Sequence, residues 1–178
     1  PQEIWAQAEN LTSHIAKANF LGAPTDSFTP NDEQLVAVGQ ALIKTADKAW
    51  GGFGKAPKFP QTMSIQWLLR QYYYTTHQQN EKEGPLSPTQ LLKQAVLSLD
   101  KMIAGGIYDH LQGGFARYST DERWVAPHFE KMLYDNALLI SVLSEAYQLT
   151  GHQAYQETIN QTMQFVASEW QATGGGFY

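Results

Sequence analysis

Residues 87–108, SPTQLLKQAVLSLDKMIAGGIY, decide the fold class. A hydroxyl residue followed by proline, Ser87-Pro88, marks a helix start, because proline at the first helical position has no N–H to leave unpaired and its φ is already helical. Leu91, Leu92, Ala95, Leu99, Met102 and Ile103 then recur at steps of three and four, the spacing of one helix face. Gly105 ends the run. The same pattern recurs on both sides. Upstream, Ile4, Ala8, Leu11, Ile15 and Ala18 predict a first helix closed by Leu21-Gly22-Ala23-Pro24. A second opens at Thr29-Pro30 and carries Leu35, Val38, Leu42, Ala46 and Ala49 to Trp50. A third runs from about Thr62 to His77 through Ile65, Leu68, Leu69 and Tyr72, and a polar stretch from Gln78 to Leu86 leads to the fourth. Downstream, a fifth helix is expected from about Pro127 to Thr150, ending at Gly151, and a sixth from about Gln153 to Thr173. Strand signals are few, at most Phe115 to Tyr118. The class is all-α.

Glycine pairs followed by an aromatic punctuate these helices: Gly51-Gly52-Phe53, Gly105-Gly106-Ile107-Tyr108, Gly113-Gly114-Phe115 and Gly174-Gly175-Gly176-Phe177-Tyr178. Three follow expected helix ends, where glycine adopts the left-handed conformation that stops a helix. Their spacing fits a repeat of two helices and two loops, so the expected architecture is three helical hairpins around an axis, with equivalent loops at one end.

The 178 residues are 43% apolar and only 16% charged, which excludes a disordered chain, and the net charge of −5 argues against nucleic-acid or anionic-membrane partners. With no cysteine, thiol redox chemistry, disulfides and thiolate metal sites are excluded within the chain. No apolar run reaches the roughly 20 residues of a membrane span. The start, Pro1-Gln2-Glu3-Ile4-Trp5, carries neither an initiator Met nor a signal peptide, and the end stops as a loop begins; the chain reads as a fragment of a longer, cytoplasmic protein.

Two loops carry polar chemistry. GGFGKAPKFP, residues 51–60, fails the phosphate-loop patterns, and Lys55 and Lys58 read as solvated lysines. GGIYDHLQGGFARYSTDERWVAPHFEKMLYDN, residues 105–136, concentrates ionisable and aromatic residues in a chain otherwise poor in them, and long structureless loops in compact domains are usually functional. On a wheel of the expected fifth helix, His128, Lys131 and Asp135 share a face while Glu130 and Tyr134 share the next. The helix is apolar nearly all round beyond its first two turns, so a buried helix would present these groups at its N-terminal mouth. His128, Asp135 and Arg117 are therefore expected to be buried and hydrogen-bonded. No metal motif fits Asp109, His110, His128 and Glu130, and no metal or other cofactor is assigned.

The strings at 51–60 and 105–139, with the closing GGGFY, resemble the thioredoxin-domain-containing family of spermatogenesis-associated thioredoxin-like proteins, over roughly residues 45–178. The resemblance implies an N-terminal thioredoxin-like domain, missing from this chain, followed by a helical toroid similar to N-acylglucosamine 2-epimerases and six-hairpin glycosidases. About half of the toroid would be present: residues 1–30 as a linker or first helix, 31–178 as hairpin repeats. Gln112 departs from the family's pattern, where a glycine is expected. A carbohydrate ligand follows from the resemblance, with Asp109, His110, His128 and Asp135 as candidate catalytic residues. The candidate substrate-binding residues are Tyr108, Arg117, Tyr118, Asp121, Arg123, Trp124, Glu130, Lys131, Tyr134 and Asn136. Tyr108, Phe115, Tyr118 and Trp124 are the expected stacking platforms. A non-catalytic scaffold is the competing reading. Half a toroid leaves apolar faces uncovered, so a two-fold homodimer hiding the cut edge is also expected.

Overall fold

A computed structural model describes residues 2–19, 29, 31–77 and 86–178. Its helices are α1 (Gln2–Asn19), α2 (Asp32–Thr45), α3 (Thr62–His77), α4 (Pro88–Ala104), α5 (Leu133–Thr150) and α6 (Gln153–Glu169). The described residues contain isolated β-bridges but no sheet. The expected stop at Leu21–Pro24, Pro30 of the expected second start, and Gln78 to Pro85 of the polar stretch lie outside the described residues. The chain divides into two units, Pro1–Asp32 and Glu33–Tyr178. In the first, α1 carries Glu3 in its first turn and Lys17 in its last, which complements the helix dipole.

In the second unit α3 packs along both α4 and α5, and α5 along α6. Ile65, Leu68 and Leu69 of α3 meet Leu91, Ala95, Leu99 and Met102 of α4. Leu139, Val142, Leu143 and Ala146 of α5 and Tyr155 of α6 complete the core. Each buried Ile, Leu, Val or Met among these contributes about 1.5–3 kcal/mol. The two hairpin ends are closed differently: Ser87 and Pro88 start α4, while Gly151, at φ 68°, stops α5 with its N–H on Tyr147 O.

The glycine repeat is real but falls in a different register from the expected one. Phe53 bridges back to Ala46, Phe115 to Tyr108 and Phe177 to Gln171. Before each phenylalanine stand two glycines with positive φ: Gly51-Gly52, Gly113-Gly114 and Gly175-Gly176. The equivalent first glycines, 51, 113 and 175, are therefore spaced by 62 residues each time. Gly105, which caps α4, is extended at φ −87° and belongs to a different feature. It lets the loop backbone at Trp124 close onto the end of α4, where a Cβ would lie 2.6 Å from Trp124 O. Loops one and two are seated on α4 and α6: a Cβ on Gly51 would lie 2.7 Å from Leu97 O, and one on Gly113 2.5 Å from Gln161 O. Phe53 and Phe115 are 3% and 1% exposed, whereas Phe177 is 55% exposed.

Three expected boundaries move. Helix α2 ends at Thr45 rather than Trp50, because Ala46 turns into its bridge with Phe53, and α6 ends at Glu169. The largest change is at α5, which begins at Leu133 rather than Pro127. Residues 127–130 are extended, since Arg117 N donates to Glu130 O and His128 N to Tyr118 O. His128 and Glu130 consequently stand before the helix and not on its wheel. Nor is α5 buried on most sides: Tyr134 and Leu138 are exposed.

Candidate functional site

The loops after α2 and α4 are joined into one frame by a buried cation. Lys58, expected in solvent, is completely buried: its Nζ donates to Asp47 Oδ2 at 2.6 Å and Glu122 O at 2.9 Å, and sits 5.2 Å from the Trp124 ring centroid. Its backbone pairs in both directions with Ser119. Burial works against the Asp47 carboxylate, but Lys58 and the N–H groups of Trp50 and Ala49 outweigh it and hold the pKa below its ordinary value. The Trp124 indole donates to Trp50 O at 2.8 Å and holds a positive φ of 67°. Asp121 shapes the turn between: its carboxylate accepts from the backbone of Arg123, Val125 and Ala126 and from Ser119 Oγ. Burial is again outweighed by these donors, and the Asp121 pKa is lowered.

A second set of polar contacts fixes residues 109–115. Lys131 Nζ donates to Asp109 Oδ2 at 2.8 Å and Gly113 O at 2.9 Å, and lies 3.9 Å from the Phe165 ring centroid. The Lys131 hydrogen bond, with the N–H groups of Gln112 and Leu111, brings the Asp109 pKa down to about 2 against the opposing effect of burial. Asn136, fully buried, acts as a backbone clamp: its Oδ1 accepts from Phe115 N at 2.7 Å, and its Nδ2 donates to Phe115 O and Met132 O.

What remains open is an aromatic and ionic rim beside a small pocket. Phe59 leans on Tyr118 with centroids 4.8 Å apart, and Tyr118 stacks on His128 at 4.7 Å. Glu130 Oε2 pairs with Arg117 at 3.3 Å and stands 3.9 Å from His128 Nδ1. Asp135, in the first turn of α5, lines a pocket of about 330 Å³ with residues 59–64. Its Oδ2 is buried and has no hydrogen-bond partner. Burial pushes the Asp135 pKa up, with Glu130 adding to the shift and Arg117 opposing it. Gln61 on the pocket wall has a φ of 45°, a conformation rare for a residue with a Cβ and found disproportionately at functional sites.

The fourteen candidates thus separate. Arg117, Tyr118, His128, Glu130 and Asp135 come together at the rim. Arg117 and His128 are not buried as expected, with side chains 40% and 46% exposed. Tyr134 is exposed nearby on α5. Asp109 is committed to Lys131 and two N–H groups, and His110, exposed, meets Gly105 O at 3.0 Å and the edge of Tyr108. Asp121, Lys131 and Asn136 hold backbone in place, and Arg123 lies 4.7 Å over Trp50. Of the four expected stacking platforms only Tyr118 is accessible; Trp124, Tyr108 and Phe115 are core residues. Phe59, Gln61 and Met63 were not singled out by sequence. The nearest sequence signal to them is the stretch 51–60 with its glycine pair at 51–52, which ends one residue before Gln61.

No protein-family model matches the chain. Solved structures place the fold among helical toroids of the epimerase and glycosidase type. A cellobiose 2-epimerase from Bacillus thermoamylovorans is similar with a TM-score of 0.62 at 15% identity, covering 82% of this chain and 39% of that one. A sugar epimerase from a ruminal bacterium gives 0.59 at 18% identity over 78% and 36%. A GH76 α-mannanase from Bacteroides thetaiotaomicron gives 0.61 at 14% over 79% and 38%. The fold is therefore part of an α/α toroid. In sequence the chain is a homologue of spermatogenesis-associated protein 20: the human protein is 40% identical over 139 residues, the mouse protein 38% over 139 residues. These matches cover 78% of this chain and 17% of the relatives' length, so the chain spans a small part of them. The described residues, helical and without a sheet, hold no thioredoxin-like domain. None of their helices is long and apolar enough to cross a membrane.

Proposed function

We propose that the loop end of the second unit binds a carbohydrate, with Asp135 as the proton-transferring group and His128 as a second acid or base at the rim. The observation that carries this reading is the buried, partnerless oxygen of Asp135. A polar atom removed from water without a hydrogen bond costs free energy, and a turn of the carboxyl toward the pocket that Asp135 lines would let a ligand hydroxyl supply the missing contact. Its raised pKa brings the carboxyl closer to neutrality, where an acid can donate as well as accept. The Phe59–Tyr118–His128 stack offers ring faces, and the Arg117–Glu130 pair offers donors and acceptors beside them. The sugar-processing names of the structural neighbours favour the same ligand class by analogy of fold.

A scaffold role is the second reading, favoured by how many polar groups are spent internally: Asp109, Asp121, Lys58, Lys131 and Asn136 all hold loop backbone or one another. The two separate on a binding experiment. The chain is screened by NMR against neutral mono- and oligosaccharides, and again as Asp135→Asn. Shifts confined to residues 59–64, 117–130 and 135, lost in the variant, are expected. If no saccharide shifts any resonance, the carbohydrate reading fails and the scaffold stands.

A further inference from the structure

Along α3, beside the pocket at Asp135, lies a larger groove. Met63 belongs to both, and the groove, about 780 Å³, runs between α3 and the last turns of α5. From Met63 to Tyr74 the axis extends about 16 Å at 1.5 Å per residue. That is longer than one sugar ring needs. The rings of Trp67, Tyr73 and Tyr74 line it, with the amides of Gln71 and Gln148 beside them. Its one charged pair is self-neutralised: Arg70 holds both oxygens of Glu145, at 2.7 and 3.1 Å, and Gln66 donates to the same carboxylate at 2.7 Å. A groove of ring faces, aliphatic side chains (Leu35, Met63, Leu69 and Leu149), neutral amides and a closed ion pair has no cation left to favour an anionic ligand.

Resting on the carbohydrate reading above, we infer that the ligand is an uncharged oligosaccharide, with one terminal unit in the Asp135 pocket and further units along α3. Ring faces stack on sugar faces and amides exchange hydrogen bonds with hydroxyls, so the rings and the amides of the groove both have work on the same chain. Met63 lines both cavities, so a chain that leaves the smaller one past Met63 enters the larger. A monosaccharide fills only the smaller.

The test compares lengths within one sugar series. Glucose, cellobiose and cellohexaose are titrated calorimetrically into the chain, as are the matching manno- and N-acetylchito-oligosaccharides, with Trp fluorescence followed in parallel. The inference expects, in at least one series, a hexasaccharide that binds tenfold or more tightly than its monosaccharide and perturbs Trp67. Tyr74→Ala, at an exposed position that leaves the core intact, should bring the hexasaccharide down to the affinity of the monosaccharide. Gln148→Ala should do so in part. Equal affinity at every length, unaffected by Tyr74→Ala, overturns the inference while leaving the pocket reading in place; a groove covered by apolar protein surface would give that result. Tighter binding of the 6-phosphates of glucose and mannose than of the parent sugars overturns the uncharged assignment. Absence of binding in every series overturns both readings together.

Discussion

Replacing Lys58 by Met removes the cation that joins the two loops while nearly preserving the volume of the side chain. Three interactions go with it: the 2.6 Å pair with Asp47, the 2.9 Å bond to Glu122 O and the cation over Trp124 at 5.2 Å. Breaking a fully buried pair typically costs about 3–5 kcal/mol, most of it from the charge left behind. Asp47 moderates this, since its side chain is 17% exposed and keeps the N–H groups of Ala49 and Trp50. The lower end, about 3 kcal/mol, is therefore expected. For a domain of this size that lowers Tm by about 6–12 °C. Urea unfolding followed by circular dichroism should show the loss in midpoint with little change in slope. Adding Asp47→Asn to Lys58→Met removes the orphaned carboxylate and should recover about 1 kcal/mol. A loss below about 1 kcal/mol for the single variant, or a double variant less stable than the single one, would refute the claim that this buried pair holds the loop frame.

Three further outcomes are expected. The Asp109 pKa is about 2 in the fold against an ordinary 3.8, so its stabilisation is complete above about pH 4 and is lost as pH falls toward 2. Discounted for partial exposure this amounts to about 1–2 kcal/mol, and Lys131→Met should flatten that limb of the stability–pH curve. Gly113→Ala combines φ 81° with a backbone oxygen 2.5 Å from the new Cβ and should cost about 3 kcal/mol, whereas Gly175→Ala, at φ 85° but in open space, should cost about 1 kcal/mol in the same urea assay. Asp135→Asn should be neutral or stabilising at pH 7. A carboxyl with a raised folded pKa destabilises once pH exceeds its unfolded value, so the gain should vanish at pH 3.

Helix content was legible because it depends on local apolar spacing: α3 and α4 sit where Ile65, Leu68, Leu91 and Leu99 put them. The start of α5 was not, because residues 127–130 take their hydrogen bonds from Arg117 and Tyr118, partners ten or more positions away that no local wheel contains. The same blindness affected the site. Lys58 looks like any loop lysine until Asp47 and Trp124 close around it, and Trp124 looks like a stacking platform until the frame buries it. Composition singles out the polar segment, but it does not separate groups that hold a loop from groups left free. Asp109 and Asp135 are both acidic residues beside aromatic neighbours in the sequence. Lys131 and two loop N–H groups hold one as a carboxylate, while burial without a hydrogen-bond partner at Oδ2 sets the other apart.

The equal spacing of the glycine pairs conceals an exchange that places the candidate rim. Between Phe53 and α3 lie residues 54–61, whereas between Phe115 and α5 lie 116–132, about twice as many. At the opposite end the balance reverses: α3 and α4 are connected by residues 78–87, α5 and α6 only by 151–152, where Gly151 turns the chain at once. The second repeat has thus moved its chain length from one end of the hairpin to the other. Helices of 16 to 18 residues cannot change their apolar faces without losing the core, so variation is confined to the connections. The lengthened connection is the one that supplies Arg117, Tyr118, His128 and Glu130, and it delivers them next to Asp135 because α5 begins where it ends. The candidate rim on this fold therefore needs no change to the hairpins themselves. It needs a longer second loop, and a buried lysine in the first loop to hold it down.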